Sequence, residues 1–410
     1  RPFGFLDHNL RSGDSLLGLH KLEQLTKFSL HPEKKKTISM FASNIEAAVK
    51  DALSLRKQLR ETPIRDIQDV KYMELLDQQA RQKLEHIEHI ADAMIGEALA
   101  SGGNQRTLET TMENLSTWAA AYIEGDSETG RKIIAEARKS LSIDLPAGKP
   151  PRKPFHWVLE FPEVFEHGGF DGFVGNPPFL GGKRISSALG VKYERSLKIL
   201  FMDSKGAADL CAYFYRKAFL LLRSKGALGL ISTNSITEGP TRRVGFGVIV
   251  DGGGNIYAGN HNFNWPGKAN VIASYACVFK GNYNGLLFLN NQPADFISTR
   301  LDDLPDLTPS KLKTPICSFS DGKNISGDGF RIERWQYERF VKEDKANKNI
   351  IYPYLNSEIF NSTPSYSPIK WAIDFGNRNY DEAKKYKSPF QHVEQDRKST
   401  RLNSSHESPS

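Results

Sequence analysis

The chain has 410 residues, 39% of them hydrophobic, a mean hydropathy of −0.47 and no apolar run near the roughly 20 residues that cross a bilayer. These values exclude a spanning membrane protein, predict no membrane partner, and lead us to expect a cytoplasmic protein of two or three domains. Three isolated cysteines, Cys211, Cys277 and Cys317, exclude a disulfide scaffold and leave no thiolate metal site, so no metal is expected, while a net charge of +7 admits a polyanionic partner without requiring one.

The sequence begins at Arg1 and enters Phe3-Gly4-Phe5-Leu6-Asp7 at once, as if inside a domain. Residues 10–18 read as a short strand ending in a polar turn, with Asp14 at its carboxyl end. From about 37 to 142 the spacing becomes helical, with Leu53, Leu59, Leu75, Leu84, Ile87, Ile90 and Ile95 set among charged runs. Several antiparallel helices are predicted, broken near Thr62-Pro63 and Ser101-Gly102-Gly103-Asn104. His86 and His89 lie beside Glu85 and Glu88 without the His-Glu-x-x-His order of a zinc protease, and read as a solvated helix face.

Residues 147–154 form a proline-rich return, and an α/β pattern follows it. A strand over 170–175 runs into Asn176-Pro177-Pro178-Phe179. A helix from about 208 to 223, a glycine turn and the apolar strand 227–232 then suggest a parallel, doubly wound sheet. Strands near 248–250, 256–257 and 272–280 are expected to complete its far edge. Beyond about Tyr283 the chain turns irregular and β-prone. Residues 396–410 back-translate into a sequence resembling a common DNA-sequencing adapter and are expected to be an artefact.

The Asn-Pro-Pro-Phe corner carries the clearest chemistry. Asn176 offers a side-chain carbonyl at a strand end, Pro177 and Pro178 fix φ near −65° and lack N–H groups, and Phe179 supplies a face for stacking. Such a corner suits a planar amine. In open α/β sheets ligands bind at the carboxyl ends of strands, where both Asn176 and Asp14 are expected.

Several stretches closely resemble the γ-ordered adenine-N6 DNA methyltransferase domains of type IIG-like restriction-modification enzymes. They include Leu10-Arg11-Ser12-Gly13-Asp14-Ser15-Leu16, Phe155-His156-Trp157, Gly175-Asn176-Pro177-Pro178-Phe179, Ala208-Asp209-Leu210 and Trp265-Pro266-Gly267. The resemblance implies a class I, Rossmann-like α/β methyltransferase sheet, N-terminally truncated, with a helical insertion and a partial C-terminal recognition region of mixed α/β or β-rich structure. Expected boundaries are 1–32 and 151–282 for the sheet, 33–150 for the insertion and 283–395 for the recognition region.

The resemblance also implies roles. The Asn176 side-chain oxygen and the Pro177 carbonyl would accept the two N–H groups of a flipped adenine N6, with Pro178 holding the corner, Phe179 stacking on the ring and Trp265 beside it. Asp14 would contact the adenine amine of S-adenosyl-L-methionine, against a rival reading as a turn or cap residue. Lys183 and Arg184 suit phosphates of double-stranded DNA or a solvated loop equally.

The expected activity is site-specific DNA adenine methylation in a restriction-modification or related defence system. The Gly-rich cofactor loop of the family is absent from this sequence, so the chain by itself is expected to be inactive. A nuclease domain or subunit, if the parent has one, is expected outside this chain. The glycine cluster at 244–254 resembles an ordinary strand and turn. Two alternatives stay open: a non-catalytic DNA-binding or specificity component, and a protein-glutamine or ribosomal RNA methyltransferase.

Overall fold

The computed structural model describes residues 9–264, 272–306, 328–355 and 370–404. The chain divides into two compact units, residues 1–308 and 309–410.

After a short helical turn at Leu22–Thr26, the first unit has four long helices: α1 (Ala42–Glu61), α2 (Ile67–Ser101), α3 (Gln105–Ile123) and α4 (Ser127–Leu141). Each break has a local cause. Asp66 accepts from the amides of Gln68 and Asp69 to start α2, Asn104 accepts from Thr107 to start α3, and Asp126 accepts from Glu128 and Thr129 to start α4. Gly102, at φ +57°, ends α2 in the left-handed conformation. Leu84, Ile90, Met94, Ile95 and Leu99 of α2 are buried in a core shared with the sheet. His86 and His89 pack against Tyr122, with ring centres 4.4 and 6.2 Å away and His89 Nδ1 3.0 Å from the Tyr122 hydroxyl.

The sheet has six strands in the order β1-β2-β4-β3-β5-β6: β1 (Phe170–Gly175), β2 (Leu222–Thr233), β3 (Gly254–Asn264), β4 (Ile272–Lys280), β5 (Leu287–Leu289) and β6 (Gln292–Ala294). β1 and β2 are parallel, but β4 runs antiparallel to both β2 and β3, so the sheet is mixed rather than wholly parallel. Helices α5 (Val191–Leu200) and α6 (Leu210–Leu221) connect β1 to β2. Tyr215 of α6 donates its hydroxyl proton to the Leu230 carbonyl and accepts from the Ala276 amide at 3.1 Å, tying helix, β2 and β4 together inside the core. β5 and β6 lie past Tyr283 yet belong to this sheet, through the parallel pairing of β5 with β3.

Two expected strands are corrected. Residues 10–18 form no strand beyond a single parallel bridge between Asp14 and Pro154. The Asp14 carboxylate accepts from the Leu16 and Leu17 amides at 3.0 and 3.3 Å and folds the backbone into a turn at once. Residues 248–250 lie in a short helix, Val248–Asp251, that continues a π-helical turn over Arg243–Gly247, so the glycine cluster at 244–254 is not a strand and turn. Val244, Phe246 and Ile249 are buried there, and helical winding is what brings all three onto the core.

The second unit holds a three-stranded antiparallel sheet in the order β7-β9-β8: β7 (Arg331–Glu333), β8 (Ile351–Tyr354) and β9 (Lys370–Ile373). With α7 (Arg334–Glu343) it encloses Ile332, Phe340, Ile350, Ile351 and Ile373. Tyr337 and Trp371 stack with ring centres 3.9 Å apart. A final helix, α8 (Lys387–Ser404), runs through the start of the segment expected to be an artefact, and Asp396 on it accepts from the Gly329 amide at 2.9 Å. Among the described residues no helix is long and apolar enough to cross a membrane.

Leu16, Leu17 and Leu19 are fully buried. Between them, a Cβ on Gly18 would stand 1.3 Å from the Phe155 carbonyl oxygen, a backbone atom that cannot yield. Gly18→Ala is therefore expected to cost about 3 kcal/mol or more, the top of the usual overpacking range. Urea denaturation followed by tryptophan fluorescence tests this, and an unchanged midpoint would contradict it.

Candidate functional site

The site grows from the carboxyl ends of β1 and β2, which lie side by side with Gly175 paired to Leu230. β1 forms because Phe170 and Phe173 pack into an aromatic cluster with Trp157, at ring-centre distances of 5.6 Å each. The strand stops where Pro177 removes the next ladder donor. Pro177 is buried, while Asn176, Pro178 and Phe179 face outward, Phe179 with 38% of its surface exposed.

The corner is fixed from behind. The Leu180 carbonyl accepts from the Leu210 amide at 2.9 Å, and the Gly182 amide donates to Asp209 Oδ1 at 2.7 Å. The other Asp209 oxygen accepts from the Ser235 hydroxyl, and the Asp209 amide donates to Thr241 Oγ1 at 3.1 Å. A Cβ on Gly182 would meet the Ala207 carbonyl oxygen at 2.4 Å, so only glycine lets the two segments approach this closely. Asp209 thus clamps the exit of the corner to the segment that follows β2. It stands in a stretch singled out in the sequence, but spacing alone gave it no role, because its partners are 27 and 26 residues away.

Asn176, Pro177 and Pro178 line a cavity of about 260 Å³ together with Ser15, Trp157, Phe173 and Lys217. Neither the Asn176 side-chain amide nor the Pro177 carbonyl makes a side-chain or loop hydrogen bond among the described residues. Both acceptors remain available at the strand end.

Asp14 sits one residue from the lining and is held within the fold. Its Oδ1 takes the Leu16 and Leu17 amides, and its Oδ2 accepts from the Tyr193 hydroxyl at 2.9 Å. Its backbone carbonyl accepts from the Phe155 amide at 3.1 Å, and its amide donates to the Lys153 carbonyl at 2.7 Å. These are the bonds of a turn-closing residue. Burial, and after it the Asp14 charge, pushes the Tyr193 hydroxyl well above its ordinary value. Ser15 reaches the cavity and its carbonyl accepts from Trp157 Nε1 at 3.1 Å. Lys183 and Arg184, in the 3-10 turn Gly182–Arg184, are exposed and make no ion pair among the described residues. Trp265 lies outside the described residues.

Lys217 is the residue that sequence reasoning missed. It lies on α6 with 4% of its surface exposed, and its ammonium donates to the Gly18 carbonyl at 2.9 Å. Burial pushes its pKa down to about 7, with the Asp14 charge opposing. A lysine on an otherwise apolar helix face, between Phe214 and Leu221, was the available signal.

Folded Lys217 releases its proton near pH 7, whereas the unfolded chain holds it to 10.5. Between pH 7 and about 9 the unfolded state therefore binds more protons, and stability rises with pH over that window. Lys217→Met is expected to flatten this rise, as measured by thermal melts across the window. A slope equal to that of the parent would contradict the assignment.

The chain matches the family described as Eco57I restriction-modification methylase over residues 24–244, more than half of its length. No curated protein matches it. Among solved structures it is similar to the type IIL restriction-modification enzyme MmeI in complex with DNA, at 18% identity and a TM-score of 0.43, covering 69% of this chain and 39% of that one. It is also similar to a putative class I S-adenosylmethionine-dependent methyltransferase from Listeria monocytogenes, at 12% identity and a TM-score of 0.22, covering 70% and 93%. The chain thus spans well under half the length of MmeI. On the extent of the family match, the chain belongs to the Eco57I restriction-modification methylase family.

Proposed function

We propose that this chain carries the acceptor half of an adenine-N6 DNA methyltransferase: a pocket that grips the exocyclic amine of an adenine turned out of double-stranded DNA. The observation that carries the reading is the pair of open acceptors, Asn176 Oδ1 and the Pro177 carbonyl, on one cavity at the carboxyl end of β1. Family membership supports methyl transfer as the reaction class.

Two carbonyl acceptors hold both N–H groups of an amine in one orientation and draw its protons outward, which enriches the nitrogen lone pair that must attack an electrophilic methyl. Pro177 and Pro178 keep the acceptors from turning away, and Asp209 ties the exit of the corner to the segment after β2. Phe179 offers a ring for stacking. Orientation with reacting atoms about 3 to 3.5 Å apart, together with fixed dipoles, suffices for a direct displacement without a covalent enzyme intermediate. The nitrogen would bond the methyl as the methyl–sulfur bond breaks, a neutral thioether would leave, and the surplus amine proton would pass to water at the exposed corner. The buried Cys211 supports this reading: burial pushes its thiol up to about 12, so it is no thiolate nucleophile. A base inside a stacked duplex cannot enter such a corner, so the adenine has to be flipped at a cost of a few kcal/mol.

The family's methyl donor is S-adenosyl-L-methionine, and the described residues do not fit it as a complete ligand. Asp14 already takes three hydrogen bonds, and a cavity of about 260 Å³ falls below the roughly 300 to 1,000 Å³ of small-molecule clefts. Calorimetric titration of the 410-residue chain with S-adenosylmethionine is expected to show no micromolar binding; a clear isotherm in that range would overturn this disagreement.

The acceptor reading is tested with a mixed-sequence duplex carrying an adenine opposite an abasic site. Asn176→Ala and Phe179→Ala are each expected to weaken its binding by about tenfold relative to a fully paired duplex, about 1.4 kcal/mol. Equal loss on both duplexes would point instead to the reading of a non-catalytic DNA-binding component. Adenine methylation of mixed-sequence DNA by the native protein separates the same two readings.

A further inference from the structure

A second cavity, of about 400 Å³, lies away from the corner, where the junction of α2 and α3 meets α5. Its charged lining is Lys34, Arg195 and Lys198, with His31 beside them, and no carboxylate is among the lining residues. The side chains of Lys34 and Arg195 make no ion pair or hydrogen bond among the described residues. Lys198 is paired with the half-buried Glu194 one helical turn away, at 3.0 Å. Burial holds the His31 imidazole below its ordinary value, so at neutral pH it adds a neutral ring rather than another charge.

The backbone around the recess favours the same sign of charge. α3 begins at Gln105 on the lining, and the first amides of a helix have no intrahelical acceptor and carry the positive end of its dipole. The opposite end of α2 would present carbonyls here, but Lys192 Nζ donates to the Ala100 carbonyl at 2.9 Å and neutralises it. Gly102 and Gly103, both at positive φ, turn the chain from one helix to the other with no side chain in the way. The remaining wall, Ile199 and Met202, is apolar.

Three cations and an apolar pair on one lining match a phosphate joined to a sugar. We propose that this recess binds a sugar-phosphate, its phosphate between Lys34, Arg195 and Lys198 and its sugar over Ile199 and Met202. The chemistry is shared by a free nucleotide and by the backbone of DNA. The proposal does not depend on the acceptor pocket at Asn176, because no residue is common to the two cavities.

Two probes distinguish the sources: adenosine triphosphate followed by calorimetry, and a labelled mixed-sequence duplex followed by anisotropy across a salt series. The full chain is expected to bind at least one of them, and the Lys34→Ala/Arg195→Ala variant to bind it about tenfold or more weakly. Loss on the nucleotide alone assigns a free ligand. Loss on the duplex, with a fall of about 1 in the slope of log affinity against log salt for the one phosphate no longer held, assigns backbone contacts. A Lys57→Ala/Lys83→Ala variant has the same net charge, with both changes on the exposed faces of α1 and α2, and is expected to bind like the parent. Three results would overturn the proposal: binding of neither probe, equal binding by the recess variant, or equal loss in the charge-matched variant. The altered side chains are exposed, so thermal melts are expected to stay at the parental midpoint.

Discussion

The first unit depends on one closure. The Asp14 amide donates to the Lys153 carbonyl and the Phe155 amide donates to the Asp14 carbonyl, joining positions about 140 residues apart in the chain. Everything between them, including the four long helices, is thereby held as a loop with fixed ends, at a closure entropy that grows only slowly with length. Leu16, Leu17 and Leu19 supply burial at the join, and Gly18 permits it by passing directly under the Phe155 carbonyl. Side chains then lock the helices to the return segment. Arg11 reaches Asp77 at 2.7 Å and Glu160 at 3.2 Å, His156 reaches Asp92 at 3.1 Å, and Arg56 and Arg60 share Glu163. The Arg11 and Arg56 side chains are buried, so removing their carboxylate partners would leave a charge with little water to take its place.

The same closure brings Ser15 and Trp157 to the wall of the cavity at Asn176. The polar groups around that cavity are unequal in their freedom. Asp14 and Asp209 are consumed in holding backbone, Asp14 in its own turn and Asp209 between Gly182 and Ser235, whereas the Asn176 amide and the Pro177 carbonyl are left open. Buried polar atoms that are satisfied rigidify a site, and open acceptors on the rigid part are where a ligand gains most. Lys217 stands between these classes: its ammonium has one carbonyl partner and no ion pair among the described residues, and its depressed pKa records that deficit. The recess lined by Lys34, Arg195 and Lys198 has the opposite character, with cations in excess and no carboxylate on its wall.

Much of the local structure was legible in the sequence. The helices over 42–141 follow from apolar spacing and from the breaks at Thr62-Pro63 and Ser101-Gly102-Gly103-Asn104, whereas the break at Gly125, capped by Asp126, leaves little periodic signal. The strand 170–175 and the corner after it could be read because two prolines allow few backbone conformations. Residues 248–250 were misread for a physical reason: three β-branched residues in a row favour a strand locally, but the buried positions of Val244, Phe246 and Ile249 fit the spacing of a helical turn. Residues 10–18 were misread because the Asp14 side chain outcompetes the ladder for its own backbone amides.

The sequence by itself determined the residue types at the corner, the helical character of the insertion and, through several spaced motifs, membership in a methylase family. It did so because periodicity, capping and proline geometry act over a few residues and leave a local imprint. The tertiary structure alone decided that β4 runs against its neighbours, that Asp209 clamps the corner, that Lys217 is buried beside it, and that Lys34 and Arg195 share a recess. Those outcomes rest on contacts between residues tens to hundreds of positions apart, and only the packed core fixes which of them meet.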